Sequence, residues 1–127
     1  MSEIERQLHS VDLSIEEAKR RVELAAALQR LHENKDFQKI ILENYFTEES
    51  TRSVMLLSDV NTQDEHNQKQ IQNVILGIGQ LGQYFHKIFV FGEGAARAIE
   101  EDERTREELL QEQLQDETDL YEAATVN

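Results

Sequence analysis

No proline occurs anywhere in the 127 residues, and that absence constrains the fold more than any other single feature. Proline removes a backbone donor and clashes with the preceding turn, so a chain without it can carry helices of unusual length. Glycine is the other common breaker, and all five glycines fall between positions 77 and 94. The remaining sequence must therefore signal its helix ends through caps and polar residues alone.

Ser14-Ile15-Glu16-Glu17 has the form of a capping box, in which the hydroxyl and the glutamate satisfy orphan backbone N–H groups. Ile15, Ala18, Val22, Ala25, Leu28 and Leu31 recur at helical spacing behind it, which predicts a helix over about 14–33, with a short helix at 2–10 ahead of it. Asn34 or Asp36 can cap a second piece whose Phe37, Ile40, Ile41 and Tyr45 share one apolar face. Thr47 and two glutamates restart a helix carrying Val54, Leu56 and Leu57, and Ser58-Asp59 ends it, so 36–58 reads as a bent connector of two short helices.

A second box, Thr62-Gln63-Asp64-Glu65, opens the longest signal. Ile71, Val74, Ile78, Leu81, Phe85, Ile88, Gly92, Ala95 and Ile99 keep a 3,4,3,4 spacing, the heptad seam of a helix lying beside another. Asp102 and Arg106 occupy the next seam positions, so the seam is expected to fade beyond residue 99, where the helix projects into solvent or toward a partner. Ile75, Leu76, Phe89, Val90 and Phe91 lie off the seam and make the helix apolar nearly all round, which points to contact with another subunit. Gly79 and Gly82, one turn apart, would let a neighbouring helix approach closely. The expectation is an all-α fold: a helical hairpin with short connector helices and a long C-terminal coiled-coil-like helix, divided into a helical domain at 1–99 and an acidic helical extension at 100–127.

Charge narrows the function. The formal net charge is −13; residues 1–99 hold 15 acidic and 11 basic side chains, whereas 100–127 hold 11 acidic and two basic. Such a chain repels phosphate backbones, and its one basic run, Lys19-Arg20-Arg21, is diluted by Glu16, Glu17 and Glu23, so direct nucleic-acid binding is not expected. The absence of cysteine rules out disulfides, thiolate metal sites and thiol nucleophiles. The charged start MSEIERQLHS has no signal-peptide character, and no window reaches the roughly 18 apolar residues of a membrane span, so neither secretion nor membrane insertion is expected.

Three motifs invite chemistry and fail on spacing. Gly77-Ile78-Gly79-Gln80-Leu81-Gly82 matches the dinucleotide fingerprint GxGxxG, but only five residues separate Gly82 from Ile88, too few for the helix and second strand that fingerprint needs. The histidines at 9, 32, 66 and 86 have Arg6, Gln29, Gln63 and Gln83 three residues before them, where a di-iron bundle requires glutamate. No strained nucleophile elbow accompanies the serines, and helical carboxylates on wet faces keep ordinary acidity. The chain is therefore expected to bind no metal and no cofactor and to catalyse nothing. Candidate contact residues are instead Ile71, Val74, Ile78, Leu81, Phe85, Ile88, Phe89, Phe91, Ala95 and Ile99 for self-association, and Leu109, Leu110, Leu114, Leu120 and Tyr121 for a partner.

The stretch from Leu28 through Arg30-Leu31, Asn34, Asp36-Phe37 and Tyr45-Phe46 to Glu49 and Arg52, followed by the Gly79–Gly82 region and an acidic end, resembles small helical proteins encoded by tailed bacteriophages. Asn44 stands where those proteins tend to carry glycine. The likeness covers residues 15 to 110 and consists of packing and capping positions, so it transfers no catalytic residue. It implies a phage origin and a place in virion assembly; joined to the self-association read from the 71–99 helix, the expectation is a homo-oligomeric structural or assembly component of the head or head–tail region, partnered with a phage structural protein and found in the virion or the host cytoplasm. The competing readings are an inhibitor of a host protein with an acidic, DNA-mimicking tail, and an oligomeric nucleotide sponge.

Overall fold

A computed structural model describes residues 2–125, and these are all-α, with no strand among them. Helix α1 spans Glu3–Glu33. A continuous helical run follows, made of α2 (Lys35–Phe37), a π-helical stretch at Gln38–Glu49 and α3 (Ser50–Leu57). A 3₁₀ turn at Val60–Thr62 leads into α4, which runs unbroken over Glu65–Thr125 and packs back on α1.

The caps lie where side-chain oxygens reach free N–H groups, and two sit elsewhere than the sequence suggests. Ser2 and Glu5 form the box at the start of α1: the Glu5 N–H donates to Ser2 Oγ at 3.1 Å and the Ser2 N–H to Glu5 Oε2 at 3.3 Å. Ser14 is thus mid-helix and caps nothing, so the short helix at 2–10 and the helix from 14 are one element. At α4 the capping residue is Asp64, whose Oδ2 accepts from the Asn67 N–H at 3.0 Å, while Thr62 belongs to the turn and donates its hydroxyl to the Leu56 carbonyl. Asn34 caps α2 as expected, accepting from the Phe37 N–H at 3.0 Å.

Both helix breaks are made without glycine. Asn34 (ψ 125°) and Asp59 (ψ 133°) each adopt an extended conformation, and no described residue has positive φ. The orphan carbonyls at the end of α3 are taken up by amide side chains: Gln63 Nε2 and Gln68 Nε2 each donate to the Leu57 oxygen at 3.0 Å. The turn is closed by hydrogen bonds that leave the chain little freedom to splay.

Residues 35–57 are one winding, not two short helices. The i→i+5 ladder of Gln38–Glu49 holds more residues per turn than the 3.6 of an α-helix. Inward positions consequently repeat every four residues: Phe37, Ile41, Tyr45, Glu49, Ser53 and Leu57 are all buried or half-buried. Ile40, expected on that face, is instead 59% exposed. Ser53, at 4%, is the most enclosed polar residue of the run.

The chain packs as two units. In the first, formed by residues up to Glu23 and those from Phe91 onward, Ile15, Ala18, Gly92 and Ala95 are buried between α1 and α4. Polar contacts extend that seam: Ser14 Oγ donates to Asp102 Oδ2 at 2.6 Å, and Arg106 Nε donates to Asp12 Oδ1 at 2.9 Å. The seam therefore does not fade at residue 99; it changes from apolar to polar and continues for two more contacts. In the second unit, Leu24–Val90, the core is Leu28, Ile71, Ile78 and Ile88, closed by the aromatic side chains described below.

Asp64 also makes the start of α4 sensitive to acid. Hydrogen bonds from the Asn67 side chain and then the Asn67 N–H hold its carboxyl below the ordinary 3.8. A depressed folded-state pKa gives stability that is present above the unfolded value and is lost as pH falls through the folded one. Asp64→Asn is expected to preserve the cap and to flatten the loss of thermal stability below pH 3.8, whereas Asp64→Ala lowers the melting temperature at neutral pH. Melting curves of the three proteins between pH 2 and 7 check both statements; identical acid-side slopes for wild type and Asp64→Asn refute the first.

Candidate interaction surfaces

Within Leu24–Val90 the helices meet around His32. Its ring centroid lies 5.3 Å from Phe37, 5.8 Å from Phe85 and 5.6 Å from Phe89. Phe85 also meets Phe37 at 6.0 Å and stands edge-on to Phe46 at 6.0 Å. All five pairs are tilted or edge-to-face, and the ring quadrupole favours such edge-on approach over a face-to-face sandwich. His32 Nδ1 is 2.8 Å from the Leu28 carbonyl, an acceptor only, so Nδ1 carries a proton and fixes the ring within the cluster. The other histidines, His9, His66 and His86, are exposed.

The glycine fingerprint lies inside α4 with negative φ throughout. A Cβ on Gly77 would meet the Tyr45 hydroxyl at 3.7 Å, and one on Gly82 would meet Phe46 at 3.9 Å, so these two glycines admit the aromatic side chains of the π-helical stretch. Gly79 meets nothing within 4 Å. The close approach expected at Gly79 and Gly82 together thus exists in this chain at Gly82 and not at Gly79.

The self-association residues divide sharply by position. Ile71, Ile78, Ile88 and Ala95, at 6–9% exposure, are consumed by the chain's own packing. Leu81, Phe85, Phe89 and Ile99 are half-buried, and Val74 and Phe91 are exposed. Arg21 stacks over the Phe91 ring at 5.3 Å. Off the seam, Leu76 is 60% and Val90 45% exposed on the outer face of α4, two heptads apart, with Gln83 midway between them. Leu24 and Leu31 are likewise exposed on α1, and Val54, Met55 and Val60 around the turn.

Of the partner-binding residues, Leu109 and Leu110 are half-buried, and Leu114, Leu120 and Tyr121 stand in solvent. Two features are not apparent from sequence: the His32 cluster, whose only signal is a histidine at a helical step from Leu28, and the polar partners that Asp102 and Arg106 find in Ser14 and Asp12.

Among the described residues no three histidine, aspartate or glutamate side chains gather into a metal-sized group, and no helix is long and apolar enough to cross a membrane. A groove of about 310 Å³ lined by Lys39, Ile40, Glu43, Asn44 and Glu48 lies along the outside of the π-helical stretch and is open to solvent. Comparison with protein-family models, with curated proteins and with solved structures finds no match.

Proposed function

We propose that this chain is a non-enzymatic helical protein that self-associates through the outer face of α4 and serves as a structural or assembly component of a tailed-phage particle. One observation carries the self-association: no large side chain among the described residues is less than 2% exposed, while Leu76, Val90, Leu24 and Leu31 lie 43–60% open. A helix that is apolar on opposite sides exceeds what one or two neighbours can cover, and burial of such faces is the main driving force for association. The likeness of residues 15–110 to small helical phage proteins supports a particle as the setting. The partner of the assembly is then a phage structural protein.

Light scattering after size exclusion is expected to give a multiple of the 14.8 kDa chain mass, and Leu76→Lys with Val90→Lys is expected to return it to the single-chain value. A wild-type chain that stays at single-chain mass and unfolds cooperatively overturns the self-association. Mass spectrometry of purified particles tests the setting, with the chain expected among the virion proteins.

The carboxylate-rich end of α4 favours a second reading, an inhibitor that engages a host protein. That reading expects salt-sensitive binding to a basic enzyme and absence from purified particles.

A further inference from the structure

We infer that the end of α4 beyond Gln113 is the seat for a cationic amphipathic helix of another protein. The pairing of Asp12 with Arg106 sets an antiparallel register between α1 and α4. Nine residues back from Asp12 is Glu3, where α1 begins, and nine residues on from Arg106 is Gln115. Past that level α4 has no α1 residue beside it. Its burial follows the same boundary: Leu109, Leu110 and Gln113 are half-buried, and every described residue from Leu114 on is exposed.

The apolar row does not stop with α1. Leu110, Leu114 and Tyr121 are spaced by four and seven residues, and Leu109, Gln113 and Leu120 by the same steps, so one face continues from the covered region into the uncovered one. Leu114, Leu120 and Tyr121 are 62%, 71% and 72% exposed. Anchors at these intervals match a helix laid alongside, which is how amphipathic helices are read by helical surfaces.

Charge decides what that helix must be. From Glu107 to Thr125 there are seven carboxylates and no lysine, arginine or histidine. Glu117 sits three residues after Leu114 and four before Tyr121, inside the apolar row, so whatever covers those two side chains also covers its carboxylate. A second copy docking through the same face would bring another Glu117 and no cation, which leaves carboxylates buried without partners. Glu108, Glu112, Asp116, Asp119 and Glu122, stepped by four, four, three and three, gather on the side of α4 away from that row and add to the negative field a cation meets on approach. Phosphate backbones and anionic lipid surfaces are repelled by the same row. A helix with lysine or arginine among its apolar anchors covers Leu114 and Tyr121, pairs with Glu117 and is drawn in by the field of the remaining carboxylates.

The inference stands whether or not the assembly is that of a virion, and it uses a face other than the one proposed for self-association. The test uses the full chain and three fluorescent peptides of equal length: an amphipathic leucine/lysine helix, its leucine/glutamate counterpart, and a leucine/lysine peptide scrambled to destroy the apolar face. Only the first is expected to bind in anisotropy titrations. Glu117→Lys and Tyr121→Ala are each expected to weaken it about tenfold or more, while Leu76→Lys with Val90→Lys leaves it unchanged. The Glu117 and Tyr121 substitutions lie on exposed positions, and light scattering is expected to show the same mass for them as for wild type. Equal binding of the scrambled peptide, no binding of the amphipathic one, or indifference to Glu117→Lys and Tyr121→Ala overturns the assignment.

Discussion

Replacing Phe85 with alanine is expected to cost about 3 kcal/mol of folding stability, the lower end of the range for emptying an aromatic core site. Phe85 touches His32 of α1 and Phe37 and Phe46 of the 35–57 winding, so its removal empties the point where both meet α4. The ring is half-buried, which keeps the effect from the upper end of that range. Phe85→Leu retains most of the volume and should cost no more than about 1.5 kcal/mol. Urea titrations at one fixed chain concentration measure both, since association makes apparent stability depend on concentration. With a slope of about 1.5–2 kcal/mol/M, the alanine variant's midpoint should fall by about 1.5–2 M at unchanged slope. An alanine midpoint no lower than that of leucine would mean that the aromatic cluster contributes nothing beyond filler.

Position 79 gives the second large effect, and it separates a helical glycine run from a phosphate-binding loop. Gly79 lies within α4 with open space where a Cβ would be, so Gly79→Ala is expected to stabilise by about 0.5–1 kcal/mol by removing backbone freedom from the unfolded chain. Gly79→Pro is expected to destabilise by about 3 kcal/mol or more, because it deletes a ladder hydrogen bond and collides with the preceding turn. Thermal melts of the two variants should therefore move in opposite directions. A loop at this point would accept proline about as readily as alanine.

The long-range architecture was legible because its signals are periodic. A seam sustained from Ile71 to Ile99 and a chain without proline leave little besides a long helix folded against another, and that is the arrangement found. Caps were less legible, since Ser14 and Thr62 have the right neighbours in sequence yet lie where the backbone is already bonded or already turning. The box pattern is neither sufficient for a cap nor required for one, since Asn34 and Asp64 cap with Phe37 and Asn67 at the third position. Ile40 was misplaced for a different reason: it was assigned with a repeat of 3.6, and the π-helical ladder around it follows another. Asp102 and Arg106 read as the end of a seam because their partners Ser14 and Asp12 lie nearly ninety positions or more away, beyond any local window. The outer face at Leu76 and Val90 was visible as an excess of apolar side chains over one seam, though only the packed structure separates it from residues already used inside.

The wide winding of Gln38–Glu49 also acts as a gear between its two ends. Each residue in it advances the chain by a smaller angle about the axis than an α-helical residue would, and over twelve residues the differences accumulate. The azimuth at which Val54 and Met55 emerge is thus set by the ladder that precedes them, not by their own neighbourhood. Losing or gaining a single residue in that stretch would turn both side chains around the helix and leave their local surroundings in sequence untouched.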